Sequence, residues 1–456
     1  MGRPIPKGPS GKLFFGNLPD MGKDALGFFR RAAGYGDVVG LQLGSWPACL
    51  INRPDLIEEV LVKQARNFIK HRFFWRHVTA IFGHGLVTNE GESWRRQRRL
   101  AQPAFHRNRV DAYGSVMVDY AERMLDEWKD GEVRDLHRDM MRLTMEIVTR
   151  TLFGVELDDA TSDEIADRFD AAVEVIATRF RRPFRIPDAI PIPSNLRYRK
   201  SVERLDALVY RFIDECRNRK GERDDLLALL MDSRDEDGSS MSDEQLRDEA
   251  ITIFLAGHET TAITLTWALI LIAQHPDVER TLLEEIESVL GPNSPRVEDI
   301  QRLPFTTHVV NEAMRLFPPA YVIGREALAD CEVGGFSIPA GTTVFMSQWT
   351  MHRDGRYFDS PEQFRPQRWE GDFAKKLPKF AFFPFGGGPR VCIGASFAMM
   401  EATMLLSAIV QRFHLELLEE QDLTPFPSIT LRPRGAVRVR LTRRDQSRMA
   451  RVAASG

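Results

Sequence analysis

Apolar residues recur at i, i+3, i+4 spacing over roughly 92–129, 135–153, 161–181, 195–220, 243–290, 305–317 and 394–413, which predicts helices there. The stretch 243–275 is the most uniformly apolar; at ~1.5 Å per residue it would run about 48 Å, enough to cross a whole domain. Ser242-Asp243-Glu244 forms a polar helix start, and His275-Pro276 ends the run because a residue before proline is pushed out of the α region. Strand-like stretches are sparser: 38–43, 48–52, 331–338, 343–346 and 436–441, punctuated by Gly334-Gly335 and Pro339-Ala340-Gly341. The pattern predicts a mainly α fold with small β-sheets. No internal repeat or low-complexity linker divides it, so 1–456 reads as one domain. The acidic stretch 232–242 reads as a solvated loop, and 183–193 as a proline-rich connection between helices.

The segment 251–273 is long enough to pass for a membrane span, but His258 and Glu259 sit adjacent near its middle, where charge is costly in lipid. It is expected to be a buried helix of a soluble protein, with no membrane span. The first ten residues lack the apolar core of a signal peptide, and Pro6 stands where a myristoylation signal wants Ser or Thr. With 62 basic and 65 acidic residues the net charge is −3, so a globally basic nucleic-acid binder is excluded and no nucleic-acid partner is expected. Four cysteines, Cys49, Cys216, Cys331 and Cys392, form no C-x-x-C pair in this long chain. That argues for free thiols in a reducing cytoplasm, one of them open to metal chemistry.

The strongest local signal is Phe385-Gly-Gly-Gly-Pro-Arg-Val-Cys392-Ile-Gly394, running straight into a helical stretch. Its glycines permit positive φ and close approach to a bulky planar group. A cysteine just before a helix gains from the positive end of the dipole, and Arg390 adds charge; both favour the thiolate that binds iron. The plainer reading is a buried apolar thiol in a glycine-rich turn. A phosphate loop is disfavoured, since no Gly-Lys-Ser/Thr follows.

This run resembles the haem-binding signature F-x-x-G-x-R-x-C-x-G of the cytochrome P-450 family, with every fixed position present. Three further motifs follow the family's order, the first of them made of two segments. Glu312-Ala-Met-Arg315 resembles its E-x-x-R, and Phe364-Arg-Pro-Gln-Arg368-Trp369 its F-x-P-E-R-F segment. The resemblance implies a buried network of Glu312, Arg315 and Arg368, to which Gln367 and Trp369 are not expected to contribute. Spacing alone allows a surface pair of little energetic weight. Ala256-Gly-His-Glu-Thr-Thr261 resembles the family's A-G-x-D/E-T-T, and Trp94-Arg-Arg-Gln-Arg98 its W-x-x-x-R. His258-Glu259 does not continue into H-E-x-x-H, because Ala262 stands where the second histidine belongs. A helix kink with core threonines is the plain alternative at 256–261.

The resemblance spans nearly the whole chain and implies the family fold, with the long central helix over haem b (iron protoporphyrin IX). It implies a monooxygenase that inserts one atom of dioxygen into a hydrophobic substrate. Cys392 would be the axial ligand of the haem iron, and Glu259 and Thr260 the catalytic proton carriers. Trp94, Arg98, Ala256, Arg325, Phe385, Arg390 and Gly394 would complete the cofactor site, with guanidinium groups on the haem carboxylates. By position, the substrate pocket is expected from Phe74, Val87, Phe254, Ala256, Ala320 and Val322, with Phe73, Trp75 and Leu86 nearby. For each aromatic, core packing is the plain alternative. Gly85-Leu-Val-Thr88 and the 256–261 run resemble the fatty-acid hydroxylase branch, while a terpenoid, polyketide-like or aromatic substrate fits nearly as well. Arg179, Arg181, Arg182 and Arg185 offer a carboxylate anchor or a solvated basic face.

Alternatives remain: a haem-thiolate enzyme that uses or rearranges peroxide, a non-enzymatic haem sensor, or a helical binding protein without haem. The Glu259–Thr260 pair argues against the first two, and four motifs in family order against the third. No flavin or iron–sulfur module is readable, so electrons are expected from a separate donor of ferredoxin or flavodoxin/reductase type. Six arginines and no acid lie between Ser93 and Val110, which reads as a solvated face or a docking surface for that acidic donor. Replacing Arg95 and Arg96 by Glu is expected to slow reduction by a ferredoxin in stopped-flow measurements, and an unchanged rate would discard the docking role.

Overall fold

The computed structural model describes residues 6–75, 78–181, 187, 190–218, 225–234 and 238–445. The helices that position the site are α1 (Ala25–Ala33), α2 (Gly91–Ala101), α3 (Gly114–Glu127), α4 (Leu136–Phe153), α5 (Asp159–Arg181), α6 (Pro193–Asn218), α7 (Asp243–Gln274), α8 (Pro276–Leu290), α9 (Pro304–Leu316) and α10 (Ala395–Arg412). The strands are β1 (Val38–Leu43), β2 (Trp46–Ile51), β3 (Phe68–Lys70), β4 (Val133–Asp135), β5 (Ile323–Ala327), β6 (Cys331–Val333), β7 (Phe336–Ile338), β8 (Thr343–Met346), β9 (Phe413–Leu417), β10 (Pro425–Pro427), β11 (Leu431–Pro433) and β12 (Arg438–Arg443). The expectation of a mainly α fold with small sheets holds. One sheet runs in the order β1-β2-β8-β5-β3, another β4-β12-β9, and β6-β7 and β10-β11 are hairpins.

The long helix α7 has 32 residues and begins in a capping box, Ser242 bonding Gln245 N while the Gln245 side chain returns to Ser242 N. It ends where the sequence says it must, His275 leaving the helix at φ −132° before Pro276 opens α8. By length and composition α7 passes for a membrane span, yet most of that stretch is buried in the protein. Against it packs α4, close enough for Thr144 Oγ1 to donate to His258 O across the two helices at 3.0 Å.

Two expectations shift. The run 92–129 is interrupted, because Pro103 opens a short tight turn over Gln102–Phe105 and residues 107–112 form a separate short helix before α3. β5 was not foreseen: Arg325 and Glu326 make it read as polar, but Glu326 is fully buried and accepts from Arg72 N at 3.0 Å and Arg72 Nε at 2.8 Å.

The Glu312 network is present and larger than expected. The carboxylate of Glu312 accepts from Arg315 Nε and Nη2 (both 2.8 Å), Arg368 Nε (2.8 Å), Arg365 N (3.0 Å) and Trp369 Nε1 (2.9 Å). Trp369 therefore does belong to it: the ring that replaces the commoner phenylalanine carries an N–H that reaches the buried carboxylate. Arg315 also donates to His352 O and Gln363 O, so one fully buried cation ties α9 to the segment before the cysteine loop.

Glu312→Ala strips that cation of its counter-charge and is expected to cost about 3–5 kcal/mol, read as a lower denaturant midpoint. Trp369→Phe, which removes one donor, is expected to cost about 1–3 kcal/mol. Unchanged midpoints would show that these bonds do not hold the region together.

Candidate active site

The loop 385–394 leads into α10, and two of its glycines are required by close contacts. A Cβ on Gly388, at φ +68°, would fall 1.8 Å from Leu61 O, and one on Gly387 would strike the Phe380 ring at 2.1 Å. The tight approaches that these glycines permit are therefore to protein neighbours. Cys392 N donates to Phe385 O at 3.0 Å, and the thiol opens onto a cavity of about 780 Å³ deep in the protein. Burial raises this thiol above its usual pKa, while the Gly394 N–H and the Arg98 guanidinium pull it down. Arg98, whose Nη1 donates to Val391 O at 2.9 Å, is thus the cation acting on Cys392. That role was expected of Arg390, which instead turns to its counter-charge Glu90 and stacks over the Trp94 ring at 4.1 Å.

Cations crowd one part of the cavity wall. Lys70 on β3 and Arg325 on β5 are direct cross-strand partners. Burial and the neighbouring charge of Arg390 lower both, Lys70 well below the ordinary lysine range and Arg325 to about 10. Glu90 alone tempers them among the groups acting on either. Like charges directly opposed across a sheet are destabilising, so this cluster fits a bound group carrying carboxylates. It sits in one cavity with a thiol, and no group of three His, Cys, Asp or Glu among the described residues could hold a metal ion by itself. The donor set suits an iron whose remaining ligands come from a planar cofactor. Lys70 was missed in the sequence because a lone lysine in a three-residue strand carries no pattern.

Trp94, Arg98, Ala256, Thr260, Arg325, Phe385, Arg390, Cys392 and Gly394 all line this cavity. So do Phe74, Val87, Ala320 and Val322, together with Trp75 and Leu86. Two expected residues do not. Phe254 is 3% exposed and packs edge-on to Phe153 at 6.2 Å, turned into the core between α7 and α4. Glu259 is 4% exposed with its carboxylate directed at Thr430. Helical geometry decides both, since Ala256 and Thr260 share a face one turn apart. Along that face Thr260 Oγ1 donates to Ala256 O (2.8 Å) and Thr264 Oγ1 to Thr260 O (2.9 Å). Gly257 also serves packing: a Cβ there would come 3.2 Å from Val148 on α4. Arg179 bonds Asn195 and stacks on Tyr198, away from the cavity wall. Arg182 and Arg185, and the side chains of Phe73 and Arg181, lie outside the described residues.

The wall carrying Leu86 and Val87 is stapled to α7 by adjacent acids. His84 N donates to Asp248 (2.6 Å), Leu86 N to Glu249 (3.0 Å), and Thr252 Oγ1 to Phe82 O (3.3 Å). Burial pushes Glu249 up to about 8. Glu401 on α10, fully buried beside Thr261, is likewise raised by burial to about 8.

Comparison with known proteins places these features in a family. The cytochrome P-450 family model matches residues 6–437. Cyclooctatin synthase of Streptomyces melanosporofaciens is 35% identical over 425 residues, 93% of this chain and 92% of that protein. Pentalenene oxygenase of Streptomyces avermitilis is 34% identical over 432 residues, 94% and 95% of the two chains. Cyclooctat-9-en-7-ol 5-monooxygenase of Streptomyces melanosporofaciens is 34% identical over 424 residues, 93% and 90%.

Glu249 and Glu401 keep protons in the folded state that the unfolded chain releases above a pKa of 4.5. Each therefore removes stability as pH rises, by about 1.4 kcal/mol per unit until its folded pKa is passed. Glu249→Gln and Glu401→Gln are expected to flatten the fall in thermal midpoint between pH 6 and about 8. Midpoints that track the wild type across that range would refute it.

Proposed function

The chain belongs to the cytochrome P-450 family of haem-iron monooxygenases, and from that premise we propose that it oxidises an uncharged terpenoid, with Cys392 ligating the iron. Its reaction uses dioxygen, an organic substrate and electrons from a redox partner. The observation that carries the reading is the division of one cavity into a cationic cluster beside a thiol and an otherwise mainly apolar wall. Lys70, Arg98, Arg325 and Arg390 would hold the haem carboxylates, and Trp94 would pack against the group. Cys392 is the only cysteine among the described cavity residues, which suits haem b held without thioether bonds.

When bound, the haem iron supplies activation of dioxygen, and its thiolate ligand favours O–O cleavage. The protein's own groups do the rest. The loop 385–394 fixes the sulfur, and Ala256 leaves space on the α7 face. Thr260 holds a proton at Oγ1 and Glu259 holds or passes one from behind that face. The apolar wall keeps bulk water from the reacting centre.

Two observations favour a terpenoid over the fatty acid that the motifs suggested. Relatives are named for pentalenene, cyclooctatin and cyclooctat-9-en-7-ol. Among the described residues, Lys23 and Arg434 are the cavity cations outside the cluster, and both are exposed, Arg434 pairing with Asp422 at 3.3 Å. A carboxylate deep in the apolar part would find no counter-charge there. Electrons would come from a ferredoxin or flavodoxin-type donor docking where Arg95, Arg98, Arg99 and His106 border a shallow surface depression. Four free cysteines suit a reducing, cytoplasmic setting.

Dithionite reduction under carbon monoxide is expected to give a strongly red-shifted Soret band that Cys392→Ser abolishes; a band at the position of imidazole-ligated haem in the wild type would refute thiolate ligation. Titration with pentalenene is expected to shift the Soret band at concentrations at least about tenfold below those needed for laurate, a difference of about 1.4 kcal/mol. Equal or tighter laurate binding would overturn the uncharged-terpenoid reading.

A further inference from the structure

Glu259 belongs to the proposed proton-handling pair, yet its carboxylate lies outside the cavity wall. It accepts a 2.7 Å hydrogen bond from Thr430 Oγ1, and Arg432 Nη2 lies 3.8 Å from the same oxygen. Thr430 is in the turn of the β10–β11 hairpin and Arg432 on its second strand. The residues just before Thr430, 424–429, form part of the cavity wall. One short segment therefore touches the substrate space and the relay acid at once.

The hairpin has little freedom to absorb a push locally. Trp267 Nε1 on α7 donates to Leu431 O at 3.0 Å, and Leu431 N donates to Pro319 O at 3.0 Å. Tyr321, itself a cavity residue, donates to Ser428 O at 3.0 Å, and Ser428 N to Thr430 O at 2.9 Å. Ile429, which meets the cavity, is bonded covalently to Thr430, which meets Glu259. The backbone that carries the cavity residue Ile429 therefore continues directly into the residue that holds Glu259.

We infer that this hairpin is a latch on Glu259, in which Thr430 and Arg432 are positioning residues that hold the carboxylate away from the cavity until substrate presses on 426–429. The inference rests on the reading of Glu259 as a proton carrier. Its chemical purpose follows from the redox balance. With no substrate, protons delivered to reduced oxygen waste the electrons: dioxygen, NADPH and one proton become hydrogen peroxide and NADP⁺. A carboxylate held by the hairpin of an empty cavity limits that loss, and an occupied cavity releases it. Occupancy of the substrate wall is thereby converted into access to a proton.

The test compares wild type, Thr430→Val, Thr430→Ser, Glu259→Gln and the Thr430→Val/Glu259→Gln double variant as holoenzymes. A plant-type ferredoxin with its NADPH reductase supplies the electrons, and no substrate is added. Thr430→Val is expected to raise NADPH oxidation and peroxide release about three- to tenfold, the range one hydrogen bond of ordinary strength sustains. Thr430→Ser keeps the wild-type rate, and Glu259→Gln cancels the rise in the double variant. Independently of turnover, the carboxylate stretching band isolated by subtracting the Glu259→Gln infrared spectrum is expected to shift in Thr430→Val and stay in place in Thr430→Ser. A wild-type rate in Thr430→Val, a rise that survives in the double variant, or an unmoved band overturns the latch. If the band shifts while Glu259→Gln leaves NADPH oxidation and its solvent deuterium isotope effect unaltered in the wild-type and Thr430→Val backgrounds, the bond exists but Glu259 carries no proton. In that case it is the relay reading that has failed, and the latch falls with it.

Discussion

A carboxylate with no access to water must collect enough donors to offset its lost hydration, and Glu312 collects five. One of the routes that position the cysteine starts at that point. Arg315 carries the connection to His352 O, and the His352 ring accepts from Phe383 N at 3.0 Å. Phe383 O accepts from Gly386 N, and Phe385 O from Cys392 N. Hydrogen bonds and short stretches of backbone thus connect the buried ion cluster to the main chain of Cys392. Within the loop a single 3-10 turn, Gly388–Arg390, is the regular structure, and the bonds leading from α9 add to it.

The cavity shows the opposite electrostatic choice. Around Glu312 the two guanidinium groups of Arg315 and Arg368 share one carboxylate and are further satisfied by backbone carbonyls; around Lys70, Arg325 and Arg390 positive charge outweighs the single acid Glu90. A cross-strand pair of like charges is destabilising by itself, and Lys70 offsets part of that by donating to Val87 O. An anionic group bound beside the cluster would relieve that repulsion.

On α7 the same helix serves core and cavity with different faces. Ala256, Thr260 and Thr264 meet the cavity, while Phe254 and His258 fill the interface with α4. The threonine hydroxyls bond back to carbonyls one turn earlier, which keeps buried donors satisfied in a helix that must also present them to a ligand. Glu259 falls between the two faces and is taken up by a third element, the β10–β11 hairpin.

Local pattern determined a good deal. The 3.6-residue period located α4, α5, α6, α9 and α10 closely, and Pro276 set the end of α7, because these follow from contacts within a few residues. The motifs identified the family, the cysteine and the ion network, since their residue types are rare at those spacings. What only the tertiary structure decided are the pairings between distant segments. These include Trp369 joining Glu312 57 residues away, and Arg98 rather than Arg390 acting on Cys392. Lys70 facing Arg325 across a sheet, and Thr430 capturing Glu259 from 171 residues along the chain, belong with them. Such pairings depend on how rigid elements stack and which way a short strand faces. A side chain's neighbours across the fold leave no periodic trace in its own sequence, so direction and partner emerge only when the core has packed.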